Sequence, residues 1–209
     1  IPRCDEDTTV QCFGEFKKDD YIYIGEMKNN LPDGQGLMIY DSGERYRGNF
    51  KIGMLNGYAV YTDKVNRIIY DGNWKDDEFG GYGIYNLIEA GQKYEGYFEK
   101  GYYHGLGKFY YGERVYEGEW RKDMQHGSGV ETWKNGTVVK GKWVNNMLEG
   151  YVEIKYSSGD TYKGNMKADK KHGKGVYVSY DGSVFDGNYK AGLAHGSGTE
   201  KFTSGEIHY

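Results

Sequence analysis

The histidines are the residues whose type and spacing could do chemistry in this sequence. Four of the five precede a glycine in the same local pattern, His-Gly-x-Gly: His104, His126, His172 and His195. Imidazole is a common zinc ligand, so a row of histidines at equivalent repeat positions suggests a metal site. Equivalent residues of successive two-stranded units lie about 10 Å apart in a sheet, however, whereas zinc ligands lie about 2 Å from one ion. We therefore predict histidines that hydrogen-bond near turns, and no bound metal.

No pattern in the sequence selects a catalytic centre. Carboxylates such as Asp76, Asp77 and Glu78 lie in polar stretches, where solvation is their ordinary state. The sequence lacks a Gly-x-Ser-x-Gly elbow, a phosphate-binding P-loop, a His-Glu-x-x-His motif and a Cys-x-x-Cys pair. Its Gly-x-Gly sequences have neither the third glycine nor the following helix of a dinucleotide site. We therefore predict a protein that is not an enzyme, with no catalytic residues and no cofactor.

Cys4 and Cys12 are the only cysteines, and both precede the regular part of the sequence. Two cysteines eight positions apart could close a small disulfide loop and cap the first strand edge, which would place the protein in an oxidising compartment. The alternative is a cytoplasmic fragment of a larger protein with two reduced thiols. A difference in intact mass with and without reductant would decide between them.

The elements that position these residues come from an internal repeat, which covers nearly the whole chain. Each unit reads Tyr-x-Gly-x-aromatic, then a short polar stretch, then Gly-x-Gly. The opening residues are Tyr23, Tyr46, Tyr70, Tyr94, Tyr116, Val139, Tyr162 and Phe185, at spacings of 23, 24, 24, 22, 23, 23 and 23 residues. A fixed period of this length indicates a repeat array, which builds an extended surface rather than a closed pocket.

Each unit has the spacing of two β-strands. Tyr116, Gly118 and Trp120 alternate along the chain, so they share one face of a strand. The polar stretch from Arg121 to His126 is interpreted as a loop, and turn pairs such as Asn135-Gly136 close the units. The sequence therefore predicts an all-β fold: about eight β-hairpins that form one elongated, twisted antiparallel sheet with an aromatic-lined groove. Residues 1–22 are predicted to be a cap segment with a partial hairpin, and residues 23–209 the array of eight units plus the start of a ninth.

The recurrent glycines require an explanation, because glycine inside a strand lowers stability. We predict that they leave room on one face, where aromatic rings lie across the bare backbone. The edges of those rings are the candidate binding surface, since tyrosine and tryptophan combine a large apolar area with a polar tip. The predicted groove residues are Tyr70, Trp74, Tyr94, Phe98, Tyr116, Trp120 and Trp143. The alternative is that these rings only pack the sheet.

The sequence Tyr-x-Gly-x-Trp followed by His-Gly-x-Gly resembles the MORN repeat (membrane occupation and recognition nexus), over about residues 12–209. The resemblance implies a groove-shaped β-sheet that binds partner proteins or itself, and lipid binding has been proposed for the family. Ala59, Val139 and Val152 depart from the pattern, so their units are expected to pack differently. The cysteine-bearing start is similar to that of secreted bacterial members, which implies a disulfide and a secreted or periplasmic location.

The net charge of the chain limits the classes of partner that it is expected to bind. The chain carries a formal charge of −4 and a pI near 5.8, with Lys and Arg scattered among Asp and Glu. Nucleic-acid binding is not expected without a basic stripe, and an anionic membrane gains no electrostatic attraction. The basic segment Lys167–His172 is interpreted as a solvated loop.

The function predicted from the sequence is therefore a non-catalytic scaffold that binds a partner polypeptide along the aromatic groove. Two alternatives remain open. One is a self-associating structural scaffold that forms homodimers. The other is an exported, envelope-associated module that binds glycan or lipid.

Overall fold

The chain is folded as antiparallel β-structure in the computed structural model, which describes residues 2–4, 9–65 and 67–209. These residues contain eighteen strands and no helix, so the all-β prediction is confirmed. The fold divides into two compact units, Ile1–His104 and Gly105–Tyr209. Residues 1 and 5–8 of the predicted cap segment lie outside the described residues, as does Asn66.

The first unit contains strands β1 to β8 and the first residues of β9. Strands β1 to β8 pair in chain order, each antiparallel to the next. Their bounds are β1 Cys12–Lys17, β2 Tyr21–Lys28, β3 Leu31–Tyr40, β4 Arg45–Lys51, β5 Met54–Thr62, β6 Ile68–Lys75, β7 Glu78–Leu87, β8 Gln92–Glu99 and β9 Tyr102–Tyr111.

The second unit contains the remainder of β9 and strands β10 to β18. Strands β10 to β18 again pair in chain order, each antiparallel to the next. Their bounds are β10 Arg114–Arg121, β11 Met124–Trp133, β12 Val138–Val144, β13 Met147–Lys155, β14 Thr161–Lys167, β15 Lys170–Val178, β16 Val184–Lys190, β17 Leu193–Lys201 and β18 Ile207–His208.

The polar stretch inside each repeat is a two-residue turn rather than a loop. Lys122 and Asp123 both have positive φ, 50° and 63°, and the strands extend from them on either side. Such a turn matches the right-handed twist of the paired strands. The prediction of a loop over Arg121–His126 was therefore wrong, because His126 already belongs to β11. The turns between repeats follow the prediction, with Gly136 at φ 93°.

The glycines make room for tyrosine rings, as the sequence predicted. Gly72 and Gly83 are cross-strand partners, and a Cβ atom added to Gly83 would lie 2.6 Å from the Tyr70 hydroxyl and 2.7 Å from its ring carbons. Tyr70 is 0% exposed. Its hydroxyl donates a hydrogen bond of 2.7 Å to the carbonyl oxygen of Asn73. The same arrangement recurs at Tyr23, Tyr94, Tyr116 and Tyr162.

Two units fill this space in other ways, which confirms that they pack differently. Val152 is fully buried and faces Gly141, where a tyrosine ring would otherwise lie. In the unit that opens at Tyr46, the methyl group of Ala59 occupies the space next to Gly48. Tyr46 itself is only half-buried. We attribute its position to the Ala59 methyl group, which takes the place of the ring.

Within the described residues, nothing qualifies as an apolar helix of membrane-spanning length.

Candidate functional site

The seven predicted groove residues lie in a continuous layer of buried rings in each unit. In the first unit, Tyr70 makes edge-to-face contacts with both Trp74 and Phe98, with ring centroids 5.2 Å apart in each case. Tyr94 contacts Phe98 in the same way at 5.1 Å. This geometry is favourable for aromatic quadrupoles. All four rings are buried, so they form the floor of the aromatic face rather than its exposed surface.

The second unit repeats the arrangement with its three predicted residues. The Tyr116 ring contacts Trp120 at 5.2 Å and Trp143 at 5.1 Å, both edge to face. The indole N–H of Trp120 donates to the carbonyl oxygen of Gly107 at 3.1 Å. Because these rings are also buried, any ligand on this face must contact the residues that lie over them.

Apart from Tyr103, a tyrosine that the sequence already placed near the groove, those covering residues were missed by the sequence reasoning. Each lies nine positions after the opening residue of its repeat and is the second residue after the tight turn. We call it the filler residue. Phe79 stacks on Tyr70 with ring centroids 3.8 Å apart, and Tyr103 stacks on Tyr94 at the same distance. The filler residues are Pro32, Leu55, Phe79, Tyr103, Gln125, Leu148, Lys171 and Ala194. They share no chemical type, so only their fixed distance from the opening residue could have identified them.

A cleft of about 760 Å³ opens over the aromatic layer of the first unit. Trp74, Phe79 and Phe98 form its apolar wall. Its rim carries charges of both signs, from Lys75, Asp76, Glu78, Glu99 and Lys100. An apolar wall with a charged rim is a composition found in protein–protein interfaces.

A second, smaller cavity of about 320 Å³ lies in the same unit and shares Trp74 with the cleft. We call it the tyrosine cavity. It is lined by Tyr21, Met38, Tyr40, Tyr46, Phe50, Gly53, Leu55, Trp74 and Asp77. Burial raises the pKa of Tyr46 to about 12, with smaller contributions from Tyr61, Tyr40 and the carboxylates of Glu44 and Asp77. The tyrosine cavity is therefore lined mainly by aromatic rings, and Asp77 is the one charged side chain among its described lining residues.

The second unit holds a cation among tyrosine rings. The Lys171 ammonium nitrogen lies 4.2 Å from the ring centroid of Tyr177, 4.7 Å from Tyr162, 5.4 Å from Tyr189 and 5.9 Å from Tyr156. These distances are within the range of cation–π attraction. Burial lowers the pKa of Lys171, and the opposite charge of Asp160 offsets part of that effect. The interpretation of Lys167–His172 as a solvated loop was wrong at this residue.

The histidines do not come together. His104 pairs with Glu99 at 3.3 Å, and His126 is held in strand β11. Among the described residues, no three His, Cys, Asp or Glu side chains are arranged to hold a metal ion.

Cys4 and Cys12 form a disulfide bond with Cα atoms 4.8 Å apart. The bond holds the segment Pro2–Cys4 beside β1, the edge strand of the first unit. The Phe13 amide donates to the carbonyl oxygen of Pro2 at 2.7 Å, and the Cys4 amide donates to that of Phe13 at 2.9 Å. An exposed strand edge is a site for unwanted pairing with other chains. The disulfide therefore covers part of that edge.

Comparison with known families decides the identity of the repeat. The family model described as the MORN repeat matches residues 23–45, 46–64, 70–86, 94–113, 116–138, 140–161, 162–184 and 185–207. These segments cover most of the chain, and seven of the eight begin at an opening residue. The protein belongs to the MORN repeat family. A tyrosine packed over glycines is thus the structural core of five of its MORN units, those that open at Tyr23, Tyr70, Tyr94, Tyr116 and Tyr162.

Several curated proteins resemble this MORN array. Mouse alsin is 28% identical over 142 residues, which is 63% of this chain and 8% of alsin. MORN repeat-containing protein 3 of Xenopus laevis is 30% identical over 80 residues, or 36% of this chain and 34% of that protein. The chain therefore spans less than a tenth of alsin, a much longer protein.

The similarity to a solved structure is weak. The Drosophila melanogaster SAS-4 TCP domain, in complex with a proline-rich motif of Ana2, covers 100% of this chain at a TM-score of 0.34 and 13% identity. The match covers 96% of that domain. At this level the similarity supports no inference about function.

Proposed function

We propose that this protein is a non-catalytic interaction scaffold that holds a partner polypeptide along the aromatic face of its MORN units. MORN repeats generally take part in protein or membrane interactions. The observation that carries the proposal is the cleft of about 760 Å³ over the aromatic layer of the first unit. Its wall is formed by aromatic rings that are held rigidly by their neighbours. Rigid aromatic side chains in a partly desolvated cleft are typical of residues that dominate binding energy.

The charged rim supports a polypeptide partner in particular. The rim of the cleft carries both Lys75 and Lys100 and the carboxylates of Asp76, Glu78 and Glu99. Mixed charges suit the polar groups and side chains of a peptide. They give no net attraction for nucleic acid, which requires a basic surface.

A pair of variants in strand β7 tests the assignment. The Phe79 ring forms part of the cleft wall, whereas Tyr82 is 45% exposed and pairs with Tyr97 on the opposite face of the sheet. A partner is first isolated by affinity capture and mass spectrometry, and its dissociation constant is then measured for each variant. Phe79→Ala is expected to weaken binding at least about tenfold, the effect of losing an aromatic hot spot. Tyr82→Ala is expected to leave it unchanged.

The reverse pattern, with loss of binding only in Tyr82→Ala, would move the site to the other face. Equal affinity in the wild type and both variants would reject a role for the aromatic face. Circular dichroism of each variant serves as the control for folding.

We also propose that the protein functions in an oxidising location, secreted or periplasmic. The Cys4–Cys12 disulfide supports this proposal, because such bonds persist outside the reducing cytosol. Protein purified from its native source under thiol-blocking conditions is expected to gain about 2 Da on reduction. An unchanged mass together with two blocked thiols would contradict it.

A further inference from the structure

The tyrosine cavity of the first unit has the same sequence register as a site in the second unit that we call the lysine cage, formed by Tyr156, Tyr162, Tyr177 and Tyr189 around Lys171. Tyr40 and Tyr46, which line the tyrosine cavity, lie 116 residues before Tyr156 and Tyr162. Tyr61 contacts Tyr46 behind the cavity wall, with ring centroids 4.9 Å apart, and lies 116 residues before Tyr177. Trp74 and Tyr189 both stand four residues after an opening residue, in the aromatic position of their repeats. The two sites therefore draw their rings from equivalent positions of the array.

Strand pairing confirms that the register is the same in three dimensions. In the first unit, Tyr46 is the cross-strand partner of Tyr61, and Phe50 is the partner of Leu55. In the second, Tyr162 is the partner of Tyr177, and Met166 is the partner of Lys171. Leu55 and Lys171 are thus equivalent filler residues at the base of equivalent aromatic clusters.

The sites differ in what fills them. In the second unit, the long side chain of Lys171 brings its own ammonium group among the rings. In the first unit, Leu55 is shorter and neutral, and a cavity of about 320 Å³ remains above it. The Ala59 methyl group takes the space next to Gly48, where the Tyr46 ring would otherwise lie. The Tyr46 ring lines the cavity instead.

The charge of the tyrosine cavity favours a cation. Asp77 lines it directly, and its carboxylate accepts a hydrogen bond of 2.7 Å from the Leu55 amide. The residue equivalent to Asp77 in the second unit is Gly192, so the first site carries a carboxylate at a position where the second has none. No described residue that lines the tyrosine cavity is basic. Tyrosine and tryptophan faces add further attraction for a positive charge.

We propose that the tyrosine cavity binds the ammonium group of a lysine side chain supplied by a partner polypeptide. The internal precedent is Lys171, whose ammonium group lies within 6 Å of four tyrosine rings of the equivalent site. A lysine entering from outside would place its alkyl stem against Met38 and Leu55 and its charge between the rings and Asp77. The inference goes beyond the proposed function, because it names a separate site and the side chain that the site recognises.

The direct test uses a short peptide, acetyl-Gly-Lys-Gly-amide, and the isotopically labelled methyl group of Met38 as the reporter. Met38 lines the tyrosine cavity, and Met166 in the second unit serves as the internal reference. Titration is expected to give a saturable shift of the Met38 resonance and none of Met166. The matched peptide with norleucine in place of lysine is expected to bind at least about tenfold more weakly, since it lacks the cation. Equal binding of the two peptides would reduce the site to an apolar cavity and overturn the proposal.

Leu55→Lys should fill the cavity with an internal ammonium group, as Lys171 does in the second unit. We expect it to abolish the Met38 shift. The matched control is Tyr58→Lys, which adds the same charge on the same strand at a residue that is 51% exposed. It should leave peptide binding unchanged. Undiminished binding to folded Leu55→Lys would overturn the proposal.

Asp77→Asn provides a second test in case Leu55→Lys does not fold. The amide oxygen of asparagine can still accept the hydrogen bond from Leu55, so the turn is kept while the charge is removed. Binding of the lysine peptide is expected to fall about two- to fivefold, the effect of losing a partly exposed ion pair. Unchanged affinity would contradict the role of the carboxylate. Because these measurements need no natural partner, their failure is distinguishable from failure of the proposed function.

Discussion

Replacement of Gly83 by alanine tests whether the glycines exist to accommodate tyrosine rings. The added Cβ atom would lie 2.6 Å from the Tyr70 hydroxyl oxygen and 2.7 Å from two ring carbons. Ordinary contacts begin near 3.4 Å, so the ring must move by several tenths of an ångström. Movement would disturb its hydrogen bond to Asn73 and its stacking on Phe79.

The loss of folding stability can be worked out from those contacts. Overpacking of a buried site costs about 1–3 kcal/mol, and loss of a hydrogen bond adds about 1 kcal/mol. We therefore expect Gly83→Ala to lower the free energy of unfolding by about 2–4 kcal/mol. Gly80→Ala is the matched control in the same strand, because its nearest neighbour, the Lys75 Cβ atom, is 3.3 Å away and the other contacts are longer. It should cost less than about 1 kcal/mol.

Urea unfolding followed by circular dichroism measures both variants. A double-mutant cycle adds a sharper test, since the unit that opens at Val139 has Val152 at the position that Gly83 occupies in the unit that opens at Tyr70. Gly83→Val should cost at least about 1 kcal/mol less when Tyr70→Val is also present, because the ring it displaces is gone. Equal stability of Gly83→Ala and Gly80→Ala, or strictly additive effects in the cycle, would refute the reasoning.

Two further predictions concern stability. Burial raises the pKa of Tyr162 from its ordinary value near 10 to about 12, so the neutral phenol is favoured in the folded state. The associated stability is fully present below about pH 10 and is lost as the pH rises through about 12. Spectrophotometric titration should show tyrosines that ionise only in this range, and unfolding midpoints should fall with them; a constant midpoint from pH 9 to about 12 would contradict this account. Reduction of Cys4–Cys12 should release the Pro2–Cys4 segment and cost about 2 kcal/mol, seen as faster amide exchange at Phe13 with little change at Tyr162.

The sequence predicted the repeat correctly because its signals are local. The Tyr70, Gly72 and Trp74 spacing specifies one face of a strand, and the ring-over-glycine packing follows from the lack of a side chain at Gly83. The tight turns were harder to locate. Lys122 and Asp123 adopt left-handed backbone conformations without a glycine, so polar composition was interpreted as a loop.

The contacts of the filler residues could not be predicted in the same way. Phe79 and Lys171 occupy the same position, yet one stacks on a ring and the other places a charge among several. Which of these occurs depends on rings contributed by neighbouring repeats, such as Tyr156 and Tyr189 around Lys171. Periodicity identifies the residue types that every repeat requires. It gives no signal at a position whose residue type changes from one repeat to the next.

The filler residues allow the surface of this array to be changed by substitution without changing its backbone. Seven residue types occupy this one position in eight repeats, while the hairpin beneath them keeps a two-residue turn with positive φ. Exchanging one of them would alter a single patch of the surface without a new backbone. A designer could therefore change the recognition surface one repeat at a time, at accessible filler residues such as Phe79, Leu148 or Ala194, while leaving the repeat tyrosines and glycines as they are.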